Sequence, residues 1–236
     1  MSLLENAWQA AKARIAAAER AAGRAPNSVA LLAVSKTFPP DAIRAVYAAG
    51  QRAFGENYVQ EAVAKAAALA DLPALEWRLI GPLQTNKAKI AAETFDGIES
   101  VDRLKVAERL SAARPPGRRP LDVLVQVNAS GEASKSGAAP ADALALATAV
   151  SRLPGLTLRG IMGIPAPTAD TARQRAQFAV LRGCFEACRD AGLAVDTLSM
   201  GMSADLEAAI AEGATEVRIG TAIFGARAGS GPGAGG

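Results

Sequence analysis

Eight short apolar runs alternating with helical stretches set the limits on what this chain can fold into. The runs fall at 29–35, 52–57, 75–80, 97–101, 121–127, 156–164, 197–200 and 216–219. Between them, helical patterns cover 41–49, 57–70, 84–92, 102–113, 141–152, 171–191 and 204–211, and a further amphipathic helix precedes them at 3–22. Every residue from Val29 to Val34 is apolar, the pattern of a strand covered on both faces. Strands of that kind alternating with helices predict a parallel sheet of the α/β class, and eight repeats predict a single (β/α)8 TIM barrel. A doubly wound open sheet is the alternative. Against it, the first strand–helix turn, Ser35 to Pro40, contains no glycine and so lacks the dinucleotide-binding fingerprint. At the helix starts, Pro40 and Asp41 open one helix, Asn57 with Gln60 reads as a capping box, and Asp102 reads as a cap.

Histidine is absent altogether, which removes Ser-His-Asp and Cys-His triads, His-ligated zinc and any imidazole acid–base step. Chemistry must rest on lysine, carboxylates, tyrosine, arginine or a cofactor. A length of 236 residues suits one barrel, expected over 1–227, and a hydrophobic share of 50% supplies its core. The Gly-rich tail 228–236 is expected to be disordered. A net charge of +3 is too balanced to argue for nucleic acid or a membrane surface. The basic loop Arg114 to Pro120 is proline-rich with no aromatic interleaved, which reads as a solvated connection. The first residues run straight into a charged helix and no apolar run approaches membrane-spanning length, so the expected compartment is cytoplasmic. Cys184 and Cys188, four apart on one helix face, read as buried small side chains in a reducing environment.

Barrels gather their strand exits at one mouth. Lys36 leaves the first strand there, Asn57 the second, Ser203 the seventh, and Gly220 with Thr221 the eighth. A lysine against an apolar wall loses its proton more readily and becomes a nucleophile, although one at a strand end can equally face solvent. Gly201 to Ser203 offers backbone N–H groups, a hydroxyl and a helix N-terminus, and Gly220-Thr221 adds a second glycine and hydroxyl. Ser203 also reads as an ordinary N-cap. Taken together, the set suits a phosphorylated carbonyl compound: a sugar phosphate, as in Schiff-base aldolases, or pyridoxal 5′-phosphate (PLP), the vitamin B6 cofactor. Arg218 alternates with Val217 and Ile219 and is expected to point into the barrel, where it needs a partner. A pyridine nitrogen would be one, and a carboxylate, Glu56 or Glu99, another.

Several segments resemble the YggS/PROSC family of pyridoxal phosphate homeostasis proteins, which is similar to the N-terminal barrel of alanine racemases (PLP fold type III). They are Leu31-Leu-Ala-Val-Ser-Lys-Thr37, Phe54-Gly-Glu-Asn-Tyr-Val-Gln-Glu61, Ile80-Gly-Pro-Leu-Gln-Thr-Asn-Lys87 and Val125-Gln-Val-Asn128 with Ser134-Lys-Ser-Gly137. Leu198-Ser-Met-Gly-Met-Ser-Ala-Asp205 and Val217-Arg-Ile-Gly-Thr-Ala-Ile-Phe-Gly-Ala-Arg227 complete the set. The resemblance implies PLP held as an aldimine on Lys36, with Arg218 facing the pyridine nitrogen. It implies Ser203, Gly220 and Thr221 on the phosphate and Asn57 near the ring. It further implies a carrier of PLP that supplies apo-enzymes; Lys87 and Lys135, near the mouth, read either as candidates in release or as solvated loop lysines.

A weak racemase is the alternative, but racemases place a tyrosine from a second domain opposite the lysine. The tyrosines here, Tyr47 and Tyr58, both lie in helical runs, and a monomer is expected. One departure stands out: the family usually has a histidine after the tryptophan of the third strand, where this chain has Arg78. It is expected to alter local packing or the charge of the mouth without abolishing binding.

Overall fold

The run at 29–34 is apolar because both faces of its strand are covered. Leu31 and Ala33 belong to the large core between strands and helices, whereas Leu32 and Val34 form a separate cluster with Ile80 inside the sheet. The computed structural model describes residues 2–132 and 135–226. The expected tail 228–236, together with Ser134 and Arg227 of the family-like segments, lies outside those residues.

The strands are β1 (Ala30–Val34), β2 (Ala53–Glu56), β3 (Glu76–Leu79), β4 (Gly97–Val101), β5 (Leu121–Val127), β6 (Leu156–Gly163), β7 (Thr197–Ser199) and β8 (Glu216–Ile219). They pair in parallel in sequence order, and β8 returns to β1 with Leu32 beside Arg218 and Ala33 beside Ile219. The sheet is a closed barrel, which excludes the doubly wound alternative.

The helices are α1 (Leu3–Ala21), α2 (Pro40–Ala48), α3 (Val59–Ala68), α4 (Ala88–Thr94), α5 (Leu104–Ala113), α6 (Ala143–Val150), α7 (Thr171–Asp190), α8 (Leu206–Ala211) and the single turn α9 (Thr221–Phe224). Short 3₁₀ turns at Thr85–Lys87 and Pro140–Asp142 lead into α4 and α6. Among the described residues a single helical turn follows β8, and α1 closes the outer ring by packing against α2, α8 and α9. Arg14 of α1 holds Glu207 of α8 with two hydrogen bonds, at 2.5 and 2.6 Å, and donates a third to the Ser203 carbonyl at 2.6 Å. Cys184 and Cys188 are buried in α7 as free thiols, and burial, with Cys184 beside it, pushes Cys188 up to about 11. No described helix is long and apolar enough to cross a membrane.

Three helix starts differ from the sequence reading, all at strand exits. The helix α3 begins after Tyr58, with no side-chain cap, so Asn57 and Gln60 form no capping box. Before α5, Asp102 accepts from the Arg103 guanidinium at 2.6 Å, a charged partner that outcompetes backbone N–H groups. Before α8, the Asp205 carboxylate accepts from the Met202 N–H at 2.7 Å and closes a turn, which moves the cap from Ser203 to Asp205. Tyr58 is therefore not inside a helix but at its edge, 59% exposed.

Candidate functional site

At the end of β1 the chain turns through Ser35, Lys36 and Thr37. The Ser35 N–H still pairs with the Gly55 carbonyl of β2 (3.0 Å), Lys36 is half-buried, and Thr37 adopts a left-handed φ of 69°. Asn57 follows β2, also half-buried. Gly81, after β3, lies directly against it: a Cβ there would sit 2.2 Å from the Asn57 carbonyl oxygen and 2.8 Å from its Cα. Those are backbone atoms and cannot yield, so Gly81→Ala is expected to shift Asn57 and cost about 1–3 kcal/mol. A lower denaturant midpoint checks it. Beside Asn57 and Gly81 a cavity of about 220 Å³ opens, lined also by Ile80, Gln126, Ile164 and Lys135. Lys87 lines a neighbouring one of about 430 Å³ that shares Asn57.

Across the barrel seam, β7 and β8 bring the predicted anion-binding groups together. The Thr221 hydroxyl lies 3.4 Å from that of Ser203, and Gly220 caps α9. A Cβ on Gly220 would meet the Val34 carbonyl at 3.1 Å, so this glycine lies against the last turnward residue of β1. An amine at one strand exit and two hydroxyls with a glycine at the adjacent exits form a donor set that fits a phosphorylated aldehyde.

Arg218 points into the barrel and is wholly buried. Its guanidinium donates to the Ser199 hydroxyl of β7 at 2.7 Å and to the Gly163 carbonyl of β6 at 2.8 Å. Ser199 in turn donates to Glu99 of β4 at 2.7 Å. Of the two carboxylates considered as partners, Glu99 is thus reached through Ser199, whereas Glu56 belongs to another cluster. Burial, with Glu216 nearby, pushes Glu99 up to about 8 despite Arg218 and the Ser199 hydroxyl, which favour its charged form. One oxygen of Glu99 and one of Glu216 have no hydrogen-bond partner among the described residues. Burial likewise lowers the Arg218 pKa, against the attraction of Glu99 and Glu216.

The consequence for stability has a definite sign. Between its ordinary 4.5 and about 8, Glu99 keeps a proton when folded that the unfolded chain releases. Stability therefore falls as pH rises through that window and levels off above it. Glu99→Gln is expected to flatten most of the slope in denaturant unfolding measured from pH 5 to pH 9.

Arg78 turns its guanidinium toward acidic groups near the strand starts, away from the mouth, which corrects the expectation that it changes mouth charge. The register sets it beside Gly97, the first residue of β4, and its side chain lies over that glycine: a Cβ on Gly97 would come within 2.6 Å of Arg78 Cδ. Its partners are Glu76 at 3.3 Å and Asp122 at 3.8 Å. Burial opposes its charge, but Glu216, Glu99, Glu76 and Asp122 outweigh that and raise its pKa. The expected change in local packing is therefore what the structure has at this position.

Sequence reasoning missed two groups. Ser199 and Glu216 follow the same inward period that identified Arg218, so alternation could have found them. Lys65 of α3 could not be found that way, because Glu61 and Lys65 at i and i+4 read as a surface pair. Lys65 is in fact buried and donates to Glu56 and Glu61, each at 2.7 Å, and to the Ser35 carbonyl at 2.8 Å.

The family model "Alanine racemase, N-terminal domain" matches residues 8–228. A Pyridoxal phosphate homeostasis protein of Pseudomonas aeruginosa is 61% identical over 226 residues, 96% of each chain. The protein of the same name from Escherichia coli K12 is 51% identical over 216 residues, 91% of this chain and 92% of its own. Among solved structures, PipY of Synechococcus elongatus with PLP bound is 43% identical with a TM-score of 0.78, covering 89% of this chain and all of that one. With its closed barrel and near-full-length matches, this chain belongs to the family of pyridoxal phosphate homeostasis proteins, built on the alanine racemase N-terminal domain.

Proposed function

We propose that this protein binds PLP at the carboxyl ends of its strands and holds it for intracellular PLP homeostasis, without efficient catalysis. The observation that carries the reading is the meeting of three strand exits. Gly220 lies against the end of β1, two residues before Lys36, and Thr221 lies beside Ser203. When bound, PLP supplies an electrophilic aldehyde and an anionic phosphate. Lys36 would hold the cofactor at that aldehyde through its amine. The Ser203 and Thr221 hydroxyls and the Gly220 backbone hold the phosphate, and Asn57 lies near the ring. Arg218, a permanent donor, would face the pyridine nitrogen and leave it unprotonated. The names of the relatives and the PLP in PipY support this assignment.

An unprotonated ring nitrogen is a weak electron sink, which argues against turnover. The tyrosines add to this: the Tyr47 hydroxyl donates to the Pro73 carbonyl, and Tyr58 stands exposed at the start of α3. The protein is read as a cytoplasmic monomer that buffers PLP and passes it to apo-enzymes. A PLP titration followed by absorbance, combined with an α-proton exchange assay on alanine and serine, tests the reading. Saturable binding with exchange near the uncatalysed rate is expected. Exchange at ordinary enzymatic rates, about 1 s⁻¹ or more, would favour the racemase instead.

A further inference from the structure

The segment that carries Lys36 is held from behind by a buried ammonium. Lys65, on α3, uses its three donors on the Ser35 carbonyl (2.8 Å), Glu56 (2.7 Å) and Glu61 (2.7 Å). The Ser35 hydroxyl donates to the same oxygen of Glu56 at 2.6 Å. On the other side of Lys36, the same oxygen of Glu61 accepts the Thr37 N–H at 2.5 Å. Both neighbours of Lys36 are therefore tied to one ion cluster. Thr37 is also the place where the backbone needs holding: its φ of 69° is left-handed, and Thr37 is β-branched, so the conformation is unfavourable unless its surroundings impose it. Glu61 is one helical turn from Lys65, so α3 delivers both partners in fixed geometry.

We propose that Lys65 and Glu61 are positioning residues that clamp Ser35-Lys36-Thr37 from the rear and so aim the Lys36 amine into the mouth. The proposal rests on Lys36 being the cofactor-bearing lysine. It also goes beyond that reading, since the clamp shapes the backbone before any ligand arrives. A buried ion cluster that merely fastens α3 to β2 would stabilise the fold without controlling this turn, and the two roles separate experimentally.

Amide hydrogen exchange at Thr37 in ligand-free protein reads the clamp directly, and PLP titration reads its consequence. Glu61→Ala and Lys65→Met are each expected to speed Thr37 exchange at least about 10-fold relative to amides of β5, and to weaken PLP binding by about 10-fold. Glu61→Gln keeps an acceptor for the Thr37 N–H and is expected to stay close to wild type. If Lys65→Met fails to fold, Glu61→Ala decides, because Glu61 is partly exposed. Unchanged Thr37 exchange in Glu61→Ala would overturn the proposal, and so would faster exchange with PLP affinity unaltered. Wild-type protein that takes no pyridoxyl group on Lys36 would instead overturn the parent reading. Thr37 exchange in the variants would then still say whether the clamp sets this turn.

Discussion

Lys36→Ala is expected to abolish lasting retention of PLP while leaving the barrel folded. Lys36 is half-buried at a strand exit and outside the core clusters, so truncating it removes little packing and changes stability by less than about 1 kcal/mol. Lys65 cannot take over its chemical role. Lys65 is buried and already donates to three acceptors, while Lys87 and Lys135 line the cavities beside Asn57. Without the covalent link only the phosphate and ring contacts remain, and the apparent affinity should fall on the order of 100-fold or more, about 2.7 kcal/mol. Equilibrium dialysis with PLP measures it. Affinity within a few-fold of wild type would mean that the link lies elsewhere or does not exist.

Arg218→Met is expected to have the largest effect on folding. The wild-type guanidinium satisfies the Gly163 carbonyl and the Ser199 hydroxyl in the middle of the barrel. Removing it leaves two buried polar groups short of a donor, at about 1–3 kcal/mol each, partly offset because burying the cation was itself unfavourable. A net loss of about 2–4 kcal/mol at neutral pH follows. The loss should grow in alkali. In wild type Glu99 has released its proton above about 8, so stability no longer changes through this group. Without Arg218 the Glu99 pKa rises further, and the folded state continues to lose ground to the unfolded chain as pH rises. Denaturant unfolding at pH 6, 8 and 9.5 measures this. A difference that shrinks with pH would contradict the coupling of Arg218 to Glu99.

The barrel was legible because its evidence is local and repetitive: short apolar runs such as that of β1, apolar helix faces, and eight strand–helix units. The mouth was legible for a related reason. Lys36, Asn57, Ser203, Gly220 and Thr221 each stand at a strand exit, so the topology that placed the strands also placed them. What was not legible depends on long-range contact. Asn57 gave no cap, and Gly81, 24 positions on, packs against its backbone. Ser199 bonds Glu99 across 100 residues of sequence and so links it to Arg218, a pairing that no local pattern records. Whether Arg78 bears on packing or on mouth charge was open in the sequence, because only the fold brings Glu76 and Asp122 to its guanidinium. Lys65 was hidden because nothing in an (i, i+4) charge pair tells a buried cluster from a solvated one.

The most direct test of the central claim is to record the absorption spectrum of the purified protein, reduce it with borohydride and map the modified peptide by mass. The account predicts a yellow protein, or one that turns yellow on adding PLP, with a single pyridoxyl group on Lys36. A protein that stays colourless with Lys36 unmodified, or one that carries the pyridoxyl group on another lysine, would contradict it.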